Sequence, residues 1–206
     1  MTTQALRNIL SGDTVEAARL LLGHVLVRRG PGEQVRAGRI VETEAYTFDD
    51  PASHSYRGPT SRNRSMFSSP GTAYVYLIYG IHCCLNVVTA EEGRGEAVLI
   101  RAVEPIEGLE AMRAARAVSR ATMLCSGPGK LCRAFSLDRS FDGTDLLAGD
   151  TLQASEQPAR ARLMIAAERF EPAGSIIATP RIGIRKAADL PRRFLCAESP
   201  HVSRRR

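Results

Sequence analysis

Strand-like segments crowd the first half of this 206-residue chain, so its fold must be built around a β-sheet. Residues 39–46 are predicted to be extended, which places Ile40, Glu42, Glu44 and Tyr46 on one face of the strand. The other predicted strands are residues 24–28, 73–79, 85–89 and 97–103, with weaker signals near Thr151, Met164, Ile182 and Phe194.

Helical signals lie before and after these strands, and the pattern is that of an α+β fold with a largely antiparallel or mixed sheet. The residues DTVE at 13–16 resemble a capping box that opens a helix ending near Gly23. Pro105 is predicted in the first turn of a helix that runs to about Arg120. A further helix is predicted to begin at residues 126–128, with Ser126 as its cap.

Length and composition favour a single domain that covers residues 1–206, of which 44% are hydrophobic. No stretch approaches the roughly 20 apolar residues that span a bilayer. The N-terminus lacks a basic segment followed by an apolar run and a cleavage site, so a cytoplasmic location is expected. If any part of the chain is disordered, we expect it at residues 1–10 and 203–206.

The five cysteines do not predict a disulfide framework or a metal site. Their number is odd, and Cys83 and Cys84 are adjacent, so a bridge between them would be strained. With His82, Cys125 and Cys132 they form no Cys-x2-Cys or His-x3-His pair with the usual spacing of zinc ligands. We therefore expect buried, reduced thiols, no metal and no cofactor.

Tyrosines are concentrated in one region of the sequence. All five fall between Tyr46 and Tyr79, three of them within residues 74–79, and the chain has no Trp. A tyrosine combines a flat apolar face with a polar tip, and proteins that hold an unstacked nucleobase use such faces as its new neighbours. The intervening residues 47–72 form a polar loop of a length that usually carries function. The cluster therefore indicates a binding site.

Glu44 and Tyr46 would project from the same face of their strand, about 7 Å apart at the usual rise per residue. A partly desolvated carboxylate near an arginine can remain ionised and accept a proton from water. Arg101 interrupts the apolar run at residues 97–103 and needs a counter-charge, which makes it the natural partner. A purely structural ion pair between Glu44 and Arg101 is the alternative, and the pattern alone favours it.

Other polar residues leave further alternatives open. Glu42 shares the predicted face with Glu44, and two carboxylates could serve a glycoside or nucleoside hydrolase. The absence of Trp disfavours a sugar site. His54, alone in a loop, would more often be a surface or packing residue. Asn86 lies in an apolar strand and must be hydrogen-bonded or face a cavity.

Several blocks, taken together and in this order, resemble the alkyladenine (3-methyladenine) DNA glycosylase family. They are RIVETEAY (39–46), SH (53–54), RNRSMF (62–67), PG (70–71), YVYLIYG (74–80), LNV (85–87), IRAVEP (100–105), LCSGPGKLC (124–132) and PRIGI (180–184). The resemblance covers most of residues 10–200. It implies one α+β domain with a curved, mostly antiparallel sheet, flanking helices, a basic face and a protruding hairpin that intercalates into DNA.

The resemblance also implies roles for individual residues. Glu44 would activate the water that attacks C1′ of a flipped nucleotide, with Arg101 and the backbone carbonyl of Ile182 placing that water. The base pocket would comprise Tyr46, His54, Tyr76 and Asn86, and Tyr79 with Ile81 would enter the duplex. His82, Cys83 and Cys84 depart from the aromatic residues common in relatives, which puts substrate preference in question. The partner would be double-stranded DNA with damaged purines, bound by a monomer, at the nucleoid in a prokaryote.

Charged residues suggest the remaining contacts. Arg57, Arg62, Arg64 and Lys130 are candidates for binding the DNA backbone. Residues 181–206 account for the whole net charge of +6, although a solvated tail is expected at their end. The sequence has only two lysines, which disfavours an amine nucleophile and predicts a water-using enzyme without lyase activity. A noncatalytic nucleic-acid-binding module remains the second alternative; it leaves Glu44 without a role.

Overall fold

The fold is a curled, antiparallel sheet with helices packed around it. A computed structural model describes residues 2–32, 34–148 and 160–203. The strands among these residues are β1 (His24–Arg29), β2 (Arg36–Tyr46), β3 (Ala73–Ile78), β4 (His82–Thr89), β5 (Glu96–Glu107), β6 (Arg162–Arg169), β7 (Ile176–Thr179) and β8 (Arg193–Cys196). The helices described are α1 (Thr3–Leu10), α2 (Thr14–Leu20), α3 (Leu109–Arg116) and α4 (Pro128–Ala134). The predicted α+β class with one sheet is confirmed.

Strand β2 is central because it has neighbours along both edges. The sheet order is β3-β4-β5-β2-β1-β6, and β8 pairs with β2 beyond the end of β1 and also with β7. Every pairing is antiparallel. The middle of β2 therefore lies between β5 and β8, where its side chains are shielded from water.

Three register shifts interrupt the ladder between β2 and β5, and two of them flank Glu42. Ile40 pairs with Val103 and Glu42 with Ala102, so Val41 is an extra residue on β2; Thr43 pairs with Ile100, so Arg101 is an extra residue on β5. A bulge bends its strand and changes the direction of its side chains. The prediction that Ile40 lies on the same face of β2 as Glu42, Glu44 and Tyr46 is therefore wrong. Ile40 packs with Val41 in the main core.

The helices at the start of the chain close one side of this core. Asp13 caps α2 by accepting a hydrogen bond from the backbone N–H of Glu16, as the capping-box motif predicted. The segment 1–10 was the expected place for disorder, but Thr3–Leu10 forms α1, because Leu6 and Leu10 are fully buried. Within the described ranges, no helix is long and apolar enough to cross a membrane.

Three local predictions are wrong. Pro105 does not open a helix, because β5 continues to Glu107 and α3 begins only after Gly108, whose φ of 75° turns the chain. Gly127, rather than Ser126, precedes α4, and it makes no side-chain cap. Ile182 lies in an irregular segment after β7. The strand predicted near Thr151 and the tail residues 204–206 lie outside the described residues.

His24 is a buried histidine at the start of β1. Its Nδ1 lies 3.0 Å from the carbonyl oxygen of Ala166, so Nδ1 carries the proton and donates. Its Nε2 is buried without a hydrogen-bond partner among the described residues. Burial lowers the pKa of His24 below its ordinary value of 6.5, against the opposing hydrogen bond to Ala166, and nearby Arg169 lowers it further. The His24 side chain is therefore neutral in the folded protein near pH 7.

This burial predicts a pH-dependent loss of stability. Below about pH 6.5 the unfolded chain protonates His24 while the folded chain does not, so the free energy of unfolding falls by up to about 1.4 kcal/mol per pH unit until the folded pKa is reached. His24→Asn keeps a donor near Nδ1 and cannot titrate. Urea unfolding at pH 7.5 and 5.5 should show a smaller stability loss for His24→Asn than for the native chain. An equal loss in both proteins would contradict this assignment.

Candidate active site

A cavity of about 320 Å³ opens where β2, β4 and β5 meet the loop after β7. Its volume falls within the range of roughly 300–1,000 Å³ that is common for small-molecule sites. Eight residues proposed from the sequence line it: Glu44, Tyr46, His54, Tyr76, Tyr79, Asn86, Arg101 and Ile182. The chain thus brings together residues from four strands, the β3–β4 turn and two loops around one hollow.

Glu44 is fully buried with respect to solvent, yet its carboxylate borders this cavity. Its Oε2 accepts a hydrogen bond from the Tyr46 hydroxyl at 2.9 Å and lies 3.2 Å from a terminal nitrogen of Arg101. Its Oε1 accepts a hydrogen bond from the backbone N–H of Ile182 at 2.8 Å. A carboxylate offers about four lone-pair positions. Among the described residues the unfilled position is therefore on Oε1.

Glu42 has a different environment from Glu44, although both contact Arg101. Its carboxylate accepts hydrogen bonds from Arg101 Nε at 2.9 Å and Arg193 Nε at 2.7 Å, and from both the backbone and the hydroxyl of Ser203. Burial alone raises the pKa of Glu42, but Arg101, the Ser203 N–H and Arg193 together lower it below its ordinary value. Glu42 does not line the cavity.

Tyr46 forms one wall of the cavity, and its back is covered by a buried arginine. The Arg181 guanidinium lies 4.6 Å from the centre of the Tyr46 ring. Arg181 also forms an ion pair with Asp50 and donates to the carbonyl of Ala45 at 3.0 Å. Burial, followed by the charge of Glu44, raises the pKa of Tyr46. The Tyr46 hydroxyl therefore stays protonated and donates a hydrogen bond to Glu44.

Three further rings, those of His54, Tyr74 and Tyr76, also line the cavity. Tyr74 and Tyr76 stack with their centres 5.3 Å apart, and the His54 ring meets Tyr76 edge-on at 4.5 Å. His54 Nδ1 lies 2.9 Å from the Tyr74 hydroxyl. Burial, and then the nearby charge of Arg62, lower the pKa of His54, so it is neutral near pH 7. Asn63 fixes this loop by donating to the backbone carbonyl of His54 at 2.9 Å.

Asn86 and Cys84 lie on β4 at the floor of the cavity. Asn86 donates to the carbonyl of Tyr74 at 3.0 Å, as expected for a polar side chain in an apolar strand. Burial raises the pKa of Cys84 to about 11, so its thiol is neutral. All five cysteines are free, and the described residues contain no cluster of His, Cys, Asp or Glu that could hold a metal ion.

The β3–β4 hairpin carries the most exposed aromatic side chain of the described chain. Tyr79 is 85% exposed and Ile81 73% exposed, and Tyr79 also borders the cavity. Tyr79 has a φ of 53°, a left-handed conformation that costs a residue other than glycine about 1–2 kcal/mol. A large apolar ring held in a strained turn and in water contributes nothing to the core. Such strain is typical of functional positions.

The basic residues predicted at the DNA backbone surround this region but do not line the cavity. Arg57, Arg62 and Arg64 are exposed, and Arg62 donates to the carbonyl of Leu77 at 2.9 Å. Lys130 is half-buried, with its amine 3.4 Å from Ser126 Oγ. Arg62 therefore also braces the loop against the hairpin.

Sequence reasoning missed several residues that build the site. Arg181, Arg193 and Ser203 belong to the basic end, where solvent exposure was expected for the last residues, yet Arg181 and Arg193 are buried and Ser203 contacts Glu42. Asp50 lies in the polar loop of residues 47–72, and no sequence pattern indicated a role for it. For Arg181 a signal was available: it is an arginine between the apolar residues Pro180 and Ile182, the same pattern that makes Arg101 a candidate. Arg193 follows Arg192 and shows no such pattern.

The site thus consists of a carboxylate beside a ring-lined hollow. Residues 8–200 match the family model described as methylpurine-DNA glycosylase (MPG). A protein of Methanoculleus marisnigri is 50% identical over 94% of this chain and 95% of its own length. Relatives in Nitrosospira multiformis and Rubrobacter xylanophilus are 45% and 47% identical, over 94% and 85% of this chain and 91% and 84% of their own. All three are named "Putative 3-methyladenine DNA glycosylase". The chain belongs to the methylpurine-DNA glycosylase family.

The strained turn predicts how two substitutions at Tyr79 differ in stability. Tyr79→Gly removes the Cβ that disfavours a positive φ, whereas Tyr79→Ala keeps it, and neither loses packing, because the ring is exposed. We expect Tyr79→Gly to be about 1 kcal/mol more stable than Tyr79→Ala, and both to unfold within a few degrees of the native protein. Thermal denaturation measures both. A large loss of stability in both variants would place Tyr79 in the core.

Proposed function

We propose that this protein is a DNA repair glycosylase that removes alkylated purines of the 3-methyladenine and 7-methylguanine type from duplex DNA. It hydrolyses the N-glycosidic bond and leaves an abasic site. One observation carries the proposal: Glu44 borders a cavity that is also lined by the rings of Tyr46, His54 and Tyr76. Family membership supports the same reading.

Glu44 is the general base of the proposed reaction. The vacant lone-pair position on Oε1 accepts the water's proton, because Tyr46 and Arg101 occupy Oε2. Arg101 and the carbonyl of Ile182 help to place this water, while the Ile182 N–H holds Oε1. The water attacks C1′ of the flipped nucleotide as the bond to the base breaks. General base catalysis of this kind contributes roughly 10²–10⁴-fold.

The pocket selects damaged purines by charge and shape. Alkylation at N3 or N7 makes a purine cationic, and tyrosine faces attract a cation by roughly 0.5–2 kcal/mol. Tyr46, His54 and Tyr76 stack on the base, and Asn86 at its edge disfavours the exocyclic amine of normal guanine. Alkylation also makes the base a better leaving group and weakens its pairing, so flipping requires less energy.

The hairpin and the basic residues bind the double-stranded DNA. Tyr79, with Ile81 beside it, enters the duplex and fills the gap that the flipped nucleotide leaves. Arg57, Arg62, Arg64 and Lys130 contact the phosphates around the lesion. We expect the protein to act as a monomer in the cytoplasm, at the nucleoid in a prokaryote.

The two alternative functions account for fewer of these observations. A noncatalytic nucleic-acid-binding module has no use for a carboxylate aimed into the pocket with three donors around it. A hydrolase with Glu42 and Glu44 as its acid and base requires both carboxylates at the substrate. Glu42 instead accepts hydrogen bonds from Arg101, Arg193 and Ser203 and lies outside the cavity lining.

The proposed enzyme has no lyase activity, because no lysine of the described residues lines the site. Both lysines of the sequence lie in the described part of the chain, and neither lines the cavity. A Schiff base with C1′ therefore has no side-chain donor. Incubation with methylated duplex DNA and sodium borohydride should give no covalent protein–DNA product. A trapped complex would show that the enzyme uses an amine.

Substitution of the base tests the central step. Glu44→Gln keeps the size of the side chain but cannot accept a proton, so release of free methylated purine from duplex DNA should fall by about 100-fold or more. Binding to the same DNA should persist. Chromatography of the released bases measures the first, and a gel-shift assay the second.

Glu110→Gln is the matched control, since it removes a carboxylate from an exposed ion pair with Arg113. It should release bases at the native rate. Native release by Glu44→Gln would remove Glu44 from the mechanism, and release of bases from free ribonucleosides by the native protein would favour the nucleoside hydrolase.

A further inference from the structure

Ser203, at the end of the described chain, contacts the charged network beneath the site. Its backbone N–H lies 2.5 Å from Glu42 Oε2, and its hydroxyl donates to Glu42 Oε1 at 2.7 Å. The same hydroxyl oxygen lies 3.4 Å from Arg101 Nη2. One serine thus contacts both the buried carboxylate and the arginine that reaches Glu44.

Arg101 transmits this contact to Glu44. Its Nε donates a hydrogen bond to Glu42 at 2.9 Å, and its Nη1 lies 3.2 Å from Glu44 Oε2. A guanidinium group is planar and presents its donors in a fixed fork. When Glu42 holds Nε of Arg101 and Ser203 holds its Nη2, the direction of Nη1 is fixed as well.

Because Arg101 lies at a bulge of β5, its orientation depends on the contacts with Glu42 and Ser203. Arg101 is the extra residue of β5, so the regular ladder does not determine its direction. Its guanidinium lies between two carboxylates and could move toward either one. Arg193 and Ser203 also donate hydrogen bonds to Glu42, and Arg101 Nη1 lies 3.2 Å from Glu44 Oε2.

We propose that Ser203 is a positioning residue for the reaction, which acts through Glu42 and Arg101 to hold the carboxylate of Glu44 in its reactive geometry. This inference rests on the proposed glycosylase function. It makes Ser203 a part of the network behind the active site, at a position where the sequence suggested a solvated tail.

A purely structural role for the same network makes a different prediction about pH. The charged and titratable groups that face Glu42 and Glu44 are Arg101 on β5, Arg193 on β8, Tyr46 on β2, and Tyr76 and Cys84 on the hairpin; Arg181 lies over the Tyr46 ring. If Glu42 shares the charge of Arg101 with Glu44, neutralising Glu42 leaves that charge to Glu44 alone. An opposite charge favours the ionised carboxylate.

Single-turnover release of methylated purines from methylated duplex DNA, measured from pH 5 to 9, tests the proposal. Ser203→Ala should slow release by about 10-fold, less than the roughly 100-fold that a 1 Å misplacement can produce. Ser203→Thr keeps the hydroxyl and should restore most of the rate. Ser140→Ala is the matched control, because it removes a serine hydroxyl from an exposed carboxylate, that of Asp138, and it should leave the rate unchanged.

Glu42→Gln supplies the readout that a structural role would not change. The acid limb of its pH–rate profile should move to lower pH and its plateau should fall, because the charge of Arg101 is no longer shared with a second carboxylate. Native rates for Ser203→Ala, or a Glu42→Gln profile that is lowered without a shift, would overturn the proposal. If Glu44→Gln also released bases at the native rate, the glycosylase function itself would fail; if only Ser203→Ala behaved as native, the positioning role alone would fail.

Discussion

The structure of the site depends on one arginine shared between two buried carboxylates. Arg101 contacts both Glu42 and Glu44, and Arg193 adds the second positive charge, so four charged groups lie together beneath the sheet surface. Leaving one member of such a group uncompensated typically costs about 3–5 kcal/mol. The network therefore requires β2, β5 and β8 in register, and it holds a charged oxygen at the wall of an otherwise aromatic cavity.

Rigid and strained parts of the site serve different steps of the proposed reaction. Behind the cavity, the buried pair of Arg181 and Asp50 holds the loop that delivers the Ile182 N–H to Glu44. At its rim, Tyr79 is exposed and occupies an unfavourable backbone conformation. The fold thus fixes the groups that would act on C1′ and presents to solvent the ring that would act on the duplex. The positive φ of Tyr79 thus reduces stability at the β3–β4 hairpin, where the proposed function requires contact with DNA.

The sequence predicted the parts of the fold that depend on local patterns. The apolar runs that became β3, β4 and β5, and the capping box of α2, follow from side-chain spacing. The bulges at Val41 and Arg101 do not, because one inserted residue leaves no mark in the hydrophobic pattern. The meeting of Glu44 with Arg101 was inferred from an unpaired charge in a strand. The roles of Asp50, Arg193 and Ser203 depend on long-range contacts that local composition does not encode.

The most direct test is a crystal structure of the Glu44→Gln protein bound to duplex DNA. The DNA should carry one 7-methylguanine whose sugar has a 2′-fluoro group to slow loss of the base. The account predicts that the methylated purine lies outside the helix, between Tyr46 and the rings of His54 and Tyr76, with C1′ facing residue 44 and Tyr79 in the vacated stack. A purine that remains stacked in the duplex while the cavity is empty would contradict it.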